Sequence, residues 1–113
     1  MDQASVCYLT TTGRRTGRPH RIEIWFAAPG GSRIYMLAGG RDRADWVRNV
    51  QADGAVEVEI AGTVHHGRAQ TIEGEPDDPL ARRLLDGKYH GWREGQPLTE
   101  WARTALPVAV DLD

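Results

Sequence analysis

The 113 residues include one cysteine, one lysine and one phenylalanine. With Cys7 alone no internal disulfide can form, so stability must come from an apolar core. Cys7 stands in the apolar run 6–9, where a buried, reduced thiol is expected. No stretch approaches the roughly 18 apolar residues of a membrane-spanning helix, and no signal-peptide pattern opens the chain, so the cytoplasm is the expected compartment. No serine–histidine–acid arrangement is legible around Ser5 or Ser32. His65 and His66 have no cysteine or acid at ligand spacing, and adjacent strand residues point to opposite faces, so no metal site is expected. Repeats, low-complexity tracts and linkers are also missing.

What is present is ordinary in amount and uneven in distribution. The apolar fraction of 40% and charged fraction of 27% are those of a globular protein. The length suits one domain, residues 1–113, burying roughly two-thirds of its unfolded surface. Thirteen of the fourteen basic residues are arginine. Residues 1–48 hold eight arginines against four acids, whereas residues 49–113 hold six basic residues against twelve acids. A basic half within a mildly acidic chain argues for a local anion site and against a nucleic-acid partner.

Hydrophobic periodicity predicts mostly strands. Residues 6–11, 21–28 and 33–38 read as the first three, with Pro29-Gly30-Gly31-Ser32 as a turn. After Gly39-Gly40 the period becomes helical, with Asp42 as expected cap and Trp46, Val47 and Val50 on the helix to about Ala52. Val56, Val58 and Ile60 alternate with Glu57 and Glu59 as a half-buried strand, and residues 64–72 return beside it across Ala61-Gly62. Asp78 with Pro79 predicts a helix start, with Leu80, Leu84 and Leu85 as its apolar face. Residues 91–97 read as loop, 98–104 as a short helix, and 107–112 as a last strand with Val108, Val110 and Leu112 on one face. Six mainly antiparallel strands with two or three helices fit a small barrel, its openings covered by the helices.

The densest chemistry lies between the first two strands. Arg14, Arg15, Arg18, His20 and Arg21 fall within eight positions with no carboxylate among them, around Gly13, Gly17 and Pro19. Guanidiniums stay charged and bind phosphate or carboxylate with forked geometry, so this turn is expected to hold an anion; the plain alternative is a solvated basic turn.

The run Leu9-Thr10-Thr11-Thr12-Gly13-Arg14-Arg15-Thr16-Gly17-Arg18-Pro19 resembles the signature of the deazaflavin-dependent nitroreductase and quinone reductase family. Gly39-Gly40 before a helix bearing Trp46 and Asn49, then Tyr89, Trp92, Trp101 and Arg103-Thr104-Ala105-Leu106-Pro107-Val108, follow in the order of that family. The resemblance covers about residues 6–112. It implies a split β-barrel of the flavin-mononucleotide-binding type, the 8-hydroxy-5-deazaflavin coenzyme F-420, and hydride delivery from its reduced form to a quinone, nitro compound or activated alkene. Members of that family carry a helix before the first strand. Here the chain begins almost at that strand, which implies a reduced lid, and Glu23 places an acid where they are less charged.

Residue by residue, the resemblance implies that Thr12, Gly13, Arg14, Arg15, Arg18 and His20 hold the phosphodiester and glutamate tail of the coenzyme. Gly39, Gly40, Arg41 and Arg43 extend the phosphate site, and Trp46 and Asn49 line its helix side. Glu23 and Trp25 wall the ring slot, the alternative for Glu23 being an exposed pair with Arg21. Tyr89 is the expected proton donor and Trp92 a substrate contact, although aromatics there also suit a loop anchor. The expected partner is a small-molecule electron acceptor, with the protein a monomer or homodimer. Other readings are a coenzyme carrier with little turnover, an FMN- or haem-binding split barrel, and a nucleic-acid- or partner-binding β-module, which fits the basic turn but not the acidic remainder.

Overall fold

The structure is a computed structural model describing residues 1–113. Six strands and three α-helices follow the periodicities except at the second strand, expected over 21–28 but formed by Pro19–Ile24, with Ala27 making only an isolated bridge. The strands are β1 (Cys7–Thr12), β2 (Pro19–Ile24), β3 (Arg33–Ala38), β4 (Ala55–Ile60), β5 (Thr63–Thr71) and β6 (Leu106–Leu112). The helices are α1 (Asp45–Ala52), α2 (Asp78–His90) and α3 (Glu100–Thr104). All pairings are antiparallel, in the order β2-β1-β4-β5-β6-β3.

The two edge strands, β2 and β3, do not close the barrel. Only the bridge between Ala27 and Tyr35 joins them, beyond the end of β2. The sheet curls into a split barrel with an open seam between β2 and β3. Inside the curl, Cys7, Leu9, Ile34, Met36, Val56, Val58, Ile60, Val108 and Val110 pack with Phe26 and Val50. Burial of this apolar surface, roughly 25 cal/mol per Å², is the main stabilising term.

A second cluster lies outside the curl, where α2 and α3 cover the far face of β3 and β6. Tyr35, Leu37 and Ala109 meet Ile72, Ala81, Leu85, Ala102 and Ala105 there. This corrects the expectation that all helices cover barrel openings. β3 and β6 are apolar on both faces, so each needs a cover on both; only α1, packed between β1 and β5, lies across an opening.

The helix starts also differ from expectation. Asp42 lies in a short 3-10 turn, Arg41–Arg43, and Ala44 precedes α1 with no side-chain cap. Asp77, not Asp78, precedes α2, and Pro79 sits in its first turn. Leu80 is exposed, and Ala81 and Leu85 form the buried stripe. Tyr89 and His90 do not follow α2 but form its last turn, which ends at Gly91 in the left-handed region (φ 69°). Its lack of a Cβ suits that conformation.

Candidate functional site

Two recesses border β2, one between the β1–β2 turn and α1, the other between the end of β2 and β3. One, of about 240 Å³, is lined by Gly13, Arg14, Arg15, Thr16, His20, Asp45 and Asn49. The other, of about 270 Å³, is lined by Val6, Glu23, Ile24, Trp25, Leu37 and Trp101. His20 of the first and Glu23 of the second stand three residues apart on β2, about 10 Å of strand. Ile22, Ile24 and Trp46 lie half-buried against the core.

The basic turn is built tightly. Gly13 N–H donates to the Arg18 carbonyl at 2.7 Å, and Gly17 N–H to the Gly13 carbonyl at 2.8 Å. A Cβ on Gly13 would come within 2.9 Å of Thr16 Oγ1 and 3.0 Å of the Arg18 carbonyl, so no larger residue fits without a shift. The three turn arginines then divide. Arg14 turns inward, its Nη1 donating to Asn49 Oδ1 at 2.9 Å and its Nη2 pairing with Asp45 at 3.1 Å. Asn49 is buried, and its Nδ2 donates to Thr11 Oγ1 at 3.1 Å. Arg14 and Asn49 thus tie the turn and β1 to α1, with their polar atoms already engaged. Arg15 and Arg18 are exposed, and neither guanidinium has a protein anion partner. Thr12, at the end of β1, is half-buried, and His20 is exposed.

The strand-to-helix connection is different again. Arg41 Nη1 donates to the Thr104 carbonyl at 2.5 Å, and Nη2 binds Glu73. This guanidinium fastens the connection to the β6 approach. Arg43 is exposed and unpaired. Gly39 lies beside the Trp101 ring and Gly40 beside Ala44. The uncapped start of α1 leaves its first backbone N–H groups open next to the basic turn.

At the other end, aromatic rings dominate. Trp25 stacks on Tyr89 at 4.2 Å between centroids with planes 2° apart, and meets Trp101 and His90 edge-on at 5.4 and 5.7 Å. Its exposure is 40%, so part of the indole remains open. Glu23 lies on the outer face, opposite Tyr8, and accepts the Tyr8 hydroxyl at 3.2 Å, while Arg21 reaches Glu59 at 3.3 Å. The expected pair of Glu23 with Arg21 is therefore replaced by one from Arg21 to Glu59. Tyr89 Oη accepts from Phe26 N–H at 3.0 Å and lies 2.8 Å from the Ser5 carbonyl, to which it can donate its proton. Burial raises its pKa above the ordinary tyrosine value. This hydroxyl fastens α2 to the chain after β2, the geometry of an anchor. Trp92 faces a separate cleft of about 730 Å³ with Arg82, Arg83 and Gln96, and its Nε1 donates to the Gln96 carbonyl. Cys7 is buried, which pushes its thiol pKa up to about 12.

Sequence reasoning assigned no site role to Asp86, buried at the end of α2, or to Trp101. Asp86 carries no motif, and its significance arises only where α2 meets Thr99. Trp101 was visible as an aromatic landmark, but its contact with Trp25 depends on the packing of α3.

The fold has close solved counterparts. A structure described as an F420-H2 dependent reductase (FDR-A) is 24% identical, with a TM-score of 0.71, covering 100% of this chain and 96% of that one. A putative 5-nitroimidazole antibiotic resistance protein from Bacteroides thetaiotaomicron has a TM-score of 0.73 at 15% identity, covering 98% of this chain and 74% of that one. A conserved hypothetical protein from Mycobacterium tuberculosis has a TM-score of 0.73 at 18% identity, with the same coverages. These similarities establish the split-barrel fold. The sequence match is what fixes the lineage: the model for F420H(2)-dependent quinone reductase spans residues 1–113, and the chain therefore belongs to that family of coenzyme-dependent oxidoreductases.

Proposed function

We propose that the protein transfers hydride from reduced coenzyme F-420 to a quinone, nitro compound or activated alkene held in the seam between β2 and β3. The observation that carries this reading is the pair of recesses that β2 borders, one at the basic turn and one where β2 ends beside β3. One offers the unpaired guanidinium of Arg15 beside His20, with Arg18 exposed on the same turn, and the other an apolar, aromatic wall.

Arg15, Arg18 and His20, with the open amides of α1, suit the phosphodiester and glutamate tail of the coenzyme. Gly13 and Gly17 let the turn adopt its shape. Arg14 and Asn49 support the turn from behind, and Arg43 extends the positive potential. Trp46, on α1, packs against the core beside Ala38 and Leu106. At the far end the open part of Trp25 suits ring stacking, and Glu23 can accept from a ring amide. When bound, the coenzyme supplies hydride at its central ring carbon. The chain would hold donor and acceptor at reacting distance, roughly 3–3.5 Å, in a largely apolar slot.

The test is to incubate the protein with F-420 or with FMN, desalt, and record absorption. The reading expects a retained deazaflavin band and loss of reduced coenzyme when menadione is added. Retention of FMN alone would overturn it, and retention of F-420 without turnover would make the protein a carrier. Affinity for F-420 should also fall as ionic strength rises, because exposed charges are screened within about 8–10 Å.

A further inference from the structure

The last turn of α2 holds chemistry that coenzyme binding does not use. Asp86 is fully buried. A carboxylate is rarely found so placed without partners, and it has three. Thr99 N–H donates to Oδ2 at 2.8 Å, the Thr99 hydroxyl to Oδ1 at 2.7 Å, and His90 Nδ1 lies 2.8 Å from Oδ1. Burial acts to raise the pKa of Asp86. The two bonds from Thr99 and the one from His90 outweigh it and hold the pKa below the ordinary aspartate value.

An ionised carboxylate only accepts, so neutral His90 carries its ring proton on Nδ1. Its Nε2 is left as the working nitrogen, with no protein partner, on a side chain 35% exposed. The imidazole ring meets Trp25 and Trp101 edge-on at 5.7 and 5.4 Å, and those two rings line the apolar slot. Asp86 is the charged group within ion-pair reach of His90, while the segment after β2 and α3 present Trp25 and Trp101 to it.

We propose that His90 is the proton donor to the electron acceptor, with Asp86 as the positioning residue that fixes its ring. This rests on the reductase reading above. Reduction of a quinone to a hydroquinone takes up one hydride and one proton. The electron pair arrives with the hydride. The Nε2–H bond of protonated His90 then breaks as an O–H bond forms on the reduced acceptor, and neutral His90 regains a proton from water. The Tyr89 hydroxyl, held between the Ser5 carbonyl and Phe26, is poorly free for this step.

Two variants and one spectrum test it. H90F keeps a ring in the aromatic triangle, and H90G opens a space beside Gly91. With reduced F-420 and menadione, H90F should lose about 10²-fold in kcat with little change in KM. Added imidazole should restore about tenfold or more of the H90G rate, which a purely structural role would not permit. In coenzyme-free wild-type protein, nitrogen-15 NMR should find neutral His90 as the Nδ1–H tautomer. A wild-type rate in H90F, no rescue of H90G, or the Nε2–H tautomer would each overturn the assignment. Failure of wild-type protein itself to oxidise the reduced coenzyme would defeat the reductase reading as well, so the two failures are distinguishable.

Discussion

At the scale of single residues, hydrogen-bond partners separate anchors from free groups. Tyr89 matched a family position for a proton donor, yet its hydroxyl bonds the backbone on both sides. Tyr89→Phe should cost about 1–2 kcal/mol, because the Phe26 N–H loses its acceptor. Urea midpoints should show that loss, while turnover per folded molecule should stay near wild type. A fall of about 10²-fold in turnover with unchanged stability would return the proton to Tyr89. Arg14 divides from its neighbours in the same way. Arg14→Ala should destabilise by about 1 kcal/mol, through the lost bond to buried Asn49, since the Asp45 partner is largely exposed. Thermal melts measure that directly.

At the scale of elements, the basic turn and the β5–β6 ladder make opposite predictions. Replacing Arg15 and Arg18 together by alanine should weaken F-420 binding by about 3 kcal/mol or more, from roughly 1.5–3 kcal/mol per charged hydrogen bond. The melting temperature should hardly move, because exposed charges contribute little to folding. Fluorescence titration decides it, and equal affinities would end the anion-clamp reading. Gly67 in β5 has no role in that recess, but a Cβ there would lie 2.6 Å from the Asp111 carbonyl of β6. Backbone cannot swing aside as a side chain can. Gly67→Ala should therefore cost about 1–3 kcal/mol by forcing β5 and β6 apart, read as a lower denaturant midpoint.

For the whole molecule, three aspartates set the acid limit, and two of them, Asp77 and Asp86, join separate elements. The hydrogen bonds of Tyr35 and Arg33 hold Asp77 below the ordinary range. Burial opposes ionisation of Asp78 and Asp86, but Arg82 and the Gly74 N–H outweigh it at the first, and Thr99 with His90 at the second. In each case the folded pKa lies below the unfolded one, so the unfolded chain binds the proton first as pH falls. Their stabilisation is complete above the unfolded aspartate value near 3.8 and is lost as pH drops toward the depressed folded values. Melting temperature should be flat with respect to these groups near neutrality and fall steeply below about pH 4. An acid-stable melt down to pH 2 would contradict this linkage.

The sequence alone determined the strands, because side-chain alternation is local. Val56, Val58 and Ile60 face the core wherever β4 is placed, and Gly13 to Pro19 form a tight basic turn between two strands. It also carried the family through the Thr-Gly-Arg-Arg-Thr-Gly-Arg run. Helix starts were less legible, since Asp42 and Asp78 compete with neighbouring acids and only backbone geometry selects among them. Tertiary structure alone decided which cations are free. Arg14 and Arg41 look the same as Arg15 and Arg18 in the chain, but their partners Asn49 and Glu73 lie 35 and 32 residues away. It likewise decided the open seam, because whether two edge strands meet depends on how far the whole sheet curls. It brought Trp25, His90 and Trp101 together across 76 positions and set Asp86 behind the imidazole. Periodicity reports which side of its own element a residue occupies; distance between elements is fixed only when their faces pack.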